Sequence, residues 1–318
     1  MANYVKISCL TAPPCPVEAN DGDATIVAKV IDYWRVQLEQ VLPDRPDMIV
    51  LPEMCDAPGN TAFTASRNQS YYRHRKEQIR DFFAEVASNH HCYIAYSAVR
   101  EIPDGSFRNS IQMIDRGGNV IGVYDKNHVL IEENTEHGTL YGNEAPIIQT
   151  DFGRVACVIC FDLNFDELRL KYVNAKPDLL LFSSLFHGGF MQQYWAYSCR
   201  AFLASSVFPT TPSQIISPVG EIIGSSTNYY SFVTRTVNLD CAVIHIDHNG
   251  KHFNDIKKKY GSKVKIDDPG KLGSVLLSSE TDEFTAQDII AEFGLELLDE
   301  YLDRSRSHKK FHNKAQPS

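Results

Sequence analysis

The sequence predicts an α/β protein, and three observations carry that prediction. Short apolar, β-branched runs alternate with longer stretches whose apolar residues recur at helical spacing. Over the first hundred or so residues the order is β-α-β-α-β, the pattern of a sheet with crossover helices. Three strand-like runs are followed by chemically complementary residues, Glu53, Lys126 and Cys160. In α/β sheets, ligand sites gather at the carboxyl ends of strands.

Residues 5–10 read as the first strand and 12–16 as a Pro-containing loop. Residues 26–42 carry Val27, Val30, Ile31, Trp34, Leu38 and Val41 at helical spacing. Asp47-Met48-Ile49-Val50-Leu51 is a buried strand that Pro52-Glu53 ends. Residues 71–87 read as a second amphipathic helix and 92–99 as a third strand. Strands at 109–114 and 120–124 flank Asp115-Arg116-Gly117-Gly118-Asn119, a hairpin signal, and Lys126 lies just past the second. Residues 131–143 form a polar loop holding Glu132, Glu133, Glu136 and Gly142. Strands at 147–150 and 154–159 surround the turn Asp151-Phe152-Gly153.

A helix is expected over 163–172, a strand over 178–182, a two-glycine loop over 183–189 and a helix over 190–204. Short strands follow at 214–217, 221–223, 232–237 and 243–246. Residues 252–260 look helical and basic, 261–273 form a loop and 285–303 a helix. Residues 305–318 are polar, without apolar period, and read as a flexible tail. No linker and no repeat of fixed period interrupts the chain. The simplest division is one domain over 1–250 plus a C-terminal extension over 251–318, which serves as a tail or an inter-subunit arm.

At 318 residues the chain is long enough for a well-buried core. Its 43% hydrophobic and 22% charged residues are ordinary for a soluble globular protein. The net charge of -9 argues against a nucleic-acid partner, which needs clustered positive charge. No apolar run approaches the length of a membrane span, so no membrane partner is expected. Residues 1–6 lack the basic-then-apolar build of a signal peptide. Eight cysteines without a secretion signal point to reduced thiols and a cytoplasmic location. Cys157 and Cys160 form a C-x-x-C by letter, but residues three apart in a strand point to opposite faces. The other six cysteines have no zinc-ligand spacing. No metal and no cofactor are expected.

The run Val155-Ala156-Cys157-Val158-Ile159-Cys160 is the centre of the chain, because it puts a cysteine between a strand and a helix. At such a turn the N–H groups of the helix start face whatever the sulfur attacks, and the helix N-terminus favours negative charge. The ordinary alternative is a buried core cysteine. Glu53 and Lys126 argue against it. A carboxylate takes the thiol proton, a thiolate attacks an electrophilic carbon, and an ammonium stabilises both thiolate and oxyanion. In such a cluster the three titrations are coupled.

The segments Leu51-Pro52-Glu53-Met54, Arg108-Asn109-Ser110, Tyr124-Asp125-Lys126-Asn127-His128 and Ile159-Cys160-Phe161-Asp162-Leu163-Asn164-Phe165 resemble the nitrilase, or carbon–nitrogen hydrolase, superfamily. They stand in the family's order, and the resemblance spans about residues 4 to 247. It implies a four-layer α-β-β-α sandwich and catalysis through a thioester acyl-enzyme. Glu53 would be the general base, Lys126 the oxyanion-stabilising cation and Cys160 the nucleophile. The backbone N–H of Phe161 would be a second oxyanion donor. A second glutamate of the family fits best at Glu136, a few residues before Gly142, where it would position Lys126 or the substrate amine. Glu132 and Glu133 compete for that place, and a solvated acidic loop is the alternative.

Nitrilases of this family carry Cys-Trp-Glu at the nucleophile, whereas Cys160-Phe161-Asp162 resembles the amidase and carbamoylase branches. The resemblance therefore implies hydrolysis of a small linear amide or an N-carbamoyl amine. A nitrile hydrolase and a non-catalytic binding or scaffold protein are the alternatives, and a redox or zinc protein built on Cys157 and Cys160 is a third. Asn164-Phe165-Asp166-Glu167 departs from the family's usual Arg-Phe-Pro-Glu, losing the Pro at the helix start. Phe186 and His187 in the two-glycine loop are candidate substrate contacts. A homodimer or larger homo-oligomer is expected from the family's habit of packing helices between subunits.

Overall fold

The structure is a computed structural model and describes residues 1–209 and 211–312. The chain forms two compact units, one of residues 5–237 and one of residues 1–4 with 238–318.

The larger unit is built on two six-stranded sheets. The first runs β14 (Phe232–Asn238), β1 (Tyr4–Leu10), β3 (Met48–Val50), β5 (Tyr93–Glu101), β6 (Phe107–Ile114) and β7 (Val120–Asp125). Its β1, β3 and β5 are parallel, and β5, β6 and β7 are antiparallel. The second runs β13 (Ile222–Ser225), β12 (Gln214–Ile216), β11 (Phe202–Val207), β10 (Leu179–Ser184), β9 (Arg154–Ile159) and β8 (Ile148–Gln149), with β9, β10 and β11 parallel. Two-residue strands β2 (Cys15–Pro16) and β4 (Pro58–Gly59) make a separate pair. β3 and β10 are buried along their whole length and β9 after Arg154, which explains why they read as continuous apolar runs rather than alternating ones.

Helices cover the outer faces. Against the first sheet lie α1 (Asp23–Leu38), α2 (Ala65–Arg75) and α3 (Gln78–His90), where the Phe83 ring meets Trp34 at 5.8 Å and Tyr96 of β5 at 5.2 Å. The short α4 (Ile131–Thr135) follows β7. Against the second sheet lie α5 (Asp166–Ala175) and α6 (Phe190–Cys199), held by Tyr172 and Trp195. The Tyr172 hydroxyl donates to the Cys157 carbonyl at 2.8 Å, and Trp195 Nε1 donates to Leu163 O at 2.9 Å. The sheets face each other. Ser183 Oγ of β10 crosses to donate to the carbonyl of Leu51, just past β3, at 2.7 Å. The layers are thus α-β-β-α, as the resemblance implied.

Several elements differ from the sequence expectation, each for a local reason. The helix expected over 71–87 is two, α2 and α3, broken at Lys76 with φ 46°. The helix expected over 190–204 stops at Cys199, because Arg200 takes the left-handed conformation. Phe202 and Leu203 belong instead to β11, which pairs with β10. A short apolar run cannot be told from a buried helix by periodicity alone.

In the smaller unit, β15 (Cys241–His245), β17 (Ser274–Ser279) and β16 (Val264–Asp267) form an antiparallel sheet. Helices α7 (Phe253–Tyr260) and α8 (Ala286–Phe293) close its core of Ile244, Ile256, Val275, Leu277 and Ile289. The single helix expected over 285–303 is interrupted at Gly294, with φ 60°, and resumes as α9 (Leu298–His312). The segment 305–312, expected to be a flexible tail, is therefore helical, while 313–318 lie outside the described residues. Strand β16 falls in the segment expected to be a loop. Among the described residues no helix is long and apolar enough to cross a membrane.

Candidate active site

Glu53, Lys126 and Cys160 converge at the carboxyl ends of β3, β7 and β9, as the sequence predicted, and line one cavity. Two of the three turns that present them are backbone-strained. Cys160 has φ 47° and Met54, directly after Glu53, has φ 51°. Non-glycine residues in this region are uncommon, and such strain persists only where the surroundings hold it.

At Cys160 the holding group is Asp162, which is fully buried. Its carboxylate accepts from the Tyr124 hydroxyl at 2.6 Å, the His128 N–H at 2.7 Å and the Ile159 N–H at 3.3 Å, and meets His128 Nδ1 at 3.0 Å. The turn carrying the sulfur is thereby tied to the strand end carrying Lys126. Lys126 is clamped by its own backbone, its N–H donating to Asn109 O and its carbonyl accepting from Gly142 N–H, both at 2.8 Å. Gly142 has no substitute here, since a Cβ would stand 2.3 Å from the Asp125 carbonyl oxygen.

The side chains form a buried ionic cluster. Lys126 Nζ donates to Glu53 Oε1 at 2.9 Å and to Glu133 Oε2 at 2.7 Å. Glu53 and Lys126 are 2% and 1% exposed, so water screens little of their attraction. Asn109 Nδ2 donates to Glu53 Oε1 at 2.8 Å, and the Leu185 N–H donates to Glu53 Oε2 at 3.1 Å. Cys160 lines the same cavity as Glu53 and Lys126, and both charges act on its thiol. Burial, reinforced by Glu53, pushes the Cys160 thiol up to about 12, against the opposing pull of Lys126 and Ser184. Burial pulls the Lys126 ammonium down, but Glu53, the Cys160 sulfur and Glu133 together outweigh it, and its pKa is raised. The cluster therefore biases the Cys160 thiol toward its neutral form and holds the Lys126 ammonium charged.

The second glutamate at Lys126 is Glu133. Glu136 is exposed at the end of α4 and does not line the cavity. Helix α4 explains the difference, because its single turn folds Glu133 back onto the Leu130 N–H, at 2.7 Å, and onto Lys126, while Glu136 lies beyond the turn. Phe161 and Phe186 line the cavity. His187 does not. Its Nδ1 accepts from the Gly189 N–H at 3.2 Å within its own loop. Asn109, Ser184 and Asp162 were given no role from the sequence. Asn109 and Asp162 lie inside the motifs that carry the family resemblance, whereas Ser184 falls in the expected two-glycine loop and is the last residue of β10. Cys157 is a buried free thiol in the interior of β9, and no group of His, Cys, Asp and Glu among the described residues has the arrangement of a metal site.

The cavity has a volume of about 530 Å³. That lies in the range of small-molecule sites.

Comparison with known proteins places these features. The carbon–nitrogen hydrolase family profile matches residues 26–252. The chain is 22% identical over 172 residues to deaminated glutathione amidase of Dictyostelium discoideum, covering 50% of this chain and 59% of that protein. It is 27% identical over 154 residues to a hydrolase in the agr operon of Staphylococcus aureus, covering 48% and 56%. The match thus spans little more than half the length of either relative. The crystal structure of a carbon–nitrogen hydrolase from Helicobacter pylori superposes with a TM-score of 0.64 at 15% identity, covering 81% of this chain and 93% of that one.

Proposed function

The chain belongs to the carbon–nitrogen hydrolase family, and from that premise we propose that it hydrolyses the C–N bond of a small linear amide through a thioester on Cys160. The observation that carries the proposal is the buried Glu53–Lys126 contact in the cavity that the Cys160 thiol also lines. Glu53 takes the thiol proton as the sulfur attacks the carbonyl carbon. The oxyanion forms beside Lys126 Nζ and the backbone N–H of Phe161, in the first turn after β9, where N–H groups lack intrahelical acceptors. Protonated Glu53 passes its proton to the departing nitrogen, and ammonia leaves. Glu53 then takes a proton from water as its oxygen attacks the thioester. Collapse returns that proton to the sulfur and releases the acid. Glu133 holds the ammonium of Lys126 in place.

An N-carbamoyl amine would follow the same steps through a carbamoylated Cys160. A nitrile would instead need three protons delivered to its nitrogen before ammonia could leave, where a primary amide needs one. Ammonia release from matched primary amides, N-carbamoyl amines and nitriles tests the proposal. The amides are expected to exceed the nitriles in kcat/KM by about a hundredfold or more, a difference of about 2.7 kcal/mol in transition-state stabilisation. Release from nitriles at an equal rate, or from none of the three classes, contradicts it.

A further inference from the structure

Accepting the amide-hydrolase reading, on which this step rests, we infer that the acyl portion of the substrate is neutral and apolar and carries no free carboxylate. The charges around the cavity argue it first. Lys126 is the only Lys or Arg among the described residues that line it, and Glu53 and Glu133 line it too. The three N–H donors of an ammonium are already matched by Glu53 Oε1 and both oxygens of Glu133, at 2.9, 3.0 and 2.7 Å. The lining is therefore net negative, and its one fixed cation is committed to Glu53, Glu133 and the oxyanion at the reacting carbonyl. A substrate carboxylate bound here would be a third anion beside Glu53 and Glu133, desolvated without a counter-ion.

Three nearby arginines do not supply one. Arg75, which donates to the carbonyl of the wall residue Val99, is buried in an ion pair with Asp56 and bonded to Tyr96. Arg100 forms a two-bond pair with Asp125, at 2.9 and 3.0 Å, and Arg73 pairs with Glu101. The polar lining points the same way. Gln69 Nε2 donates to His137 O and Asn164 Nδ2 donates to Phe161 O, so both amides have a donor engaged. His137, the remaining basic side chain of the lining, is exposed to solvent.

The walls argue it a second time. Tyr72, Val99, Phe107, Leu130, Phe161 and Phe186 give the cavity a predominantly hydrocarbon surface. Such a surface, in about 530 Å³, accepts an aromatic or medium-length alkyl group. It gains free energy from burying apolar area and nothing from a charged end.

The test compares pairs of equal length, hexanamide against 6-amino-6-oxohexanoate and 3-(4-methylphenyl)propanamide against 4-(3-amino-3-oxopropyl)benzoate. Ammonia release is measured with the full chain. The neutral member of each pair is expected to lead in kcat/KM by about a hundredfold or more. Phe186→Arg, on a wall position that is 39% exposed, is expected to narrow the gap by about tenfold by giving the carboxylate a partner. The same pairs are titrated calorimetrically into Cys160→Ala, where the neutral members are expected to bind and the carboxylates not. Equal or faster turnover of the carboxylates, or their tighter binding to Cys160→Ala, overturns the inference while leaving amide hydrolysis intact. Binding of the neutral amides without ammonia release from any member supports the inference and strikes the proposed reaction instead.

Discussion

Replacing Cys160 by Ala is expected to remove ammonia release from an amide substrate, lowering kcat by at least about 10⁴-fold, because no other group can form the acyl-enzyme. The protein should stay folded. Cys160 is only partly buried, and alanine accepts the same φ of 47° at similar strain. The turn is held by Asp162, through Tyr124, His128 and the Ile159 N–H, rather than by the sulfur. Thermal unfolding is therefore expected to move by no more than the equivalent of about 1 kcal/mol. Activity and stability separate in this variant, whereas a merely structural cysteine would lose stability and keep turnover.

Glu53→Gln is expected to lower kcat by about 10³-fold, the usual range for removing a positioned acid–base group. It should also change the thiol in the opposite sense. In the native site burial and Glu53 raise the Cys160 pKa, and Lys126 and Ser184 lower it. Glutamine keeps the shape and removes one of the two raising causes. The thiol pKa must then fall, the thiolate fraction at pH 7.5 must rise, and alkylation by iodoacetamide should become faster as hydrolysis disappears. With the native enzyme, alkylation should keep rising with pH beyond pH 9, because the thiol is pushed up to about 12. A native alkylation profile that levels off below pH 8, or slower alkylation in Glu53→Gln, contradicts the arrangement. Losing both activities together would mean that the glutamate only holds the fold.

The three principal residues were legible because each follows a short strand-like run with the site at its carboxyl end; two of these runs, β3 and β9, are buried strands, whereas β7 before Lys126 is a half-exposed edge strand. Helical layers were legible from the apolar spacing of residues such as Val30 and Trp34. Glu133 was not. Three glutamates share one polar segment, and the choice among them depends on the single turn of α4, which only the folded chain defines. Spacing to Gly142 favoured Glu136, but that glycine serves another purpose, letting the backbone approach Asp125. His187 was misplaced for a similar reason. Gly188 and Gly189 both take positive φ, and the loop turns its imidazole back on itself. Strand β11 was hidden because Phe202-Leu203-Ala204 extends the apolar spacing of α6, and only the left-handed Arg200 ends the helix. Ser184 was missed because a serine at the end of a strand carries no pattern of its own. Its role appears only when β9 and β10 lie side by side.

The central claim is that one sulfur becomes covalently bonded to the acyl half of an amide. The most direct test quenches the native protein in acid during turnover of 3-phenylpropanamide and maps the added mass by peptide mass spectrometry. A thioester of the acyl group on Cys160, released by hydroxylamine and absent from Cys160→Ala, is the result expected. Ammonia produced while Cys160 stays unmodified and another residue carries the acyl group would contradict it.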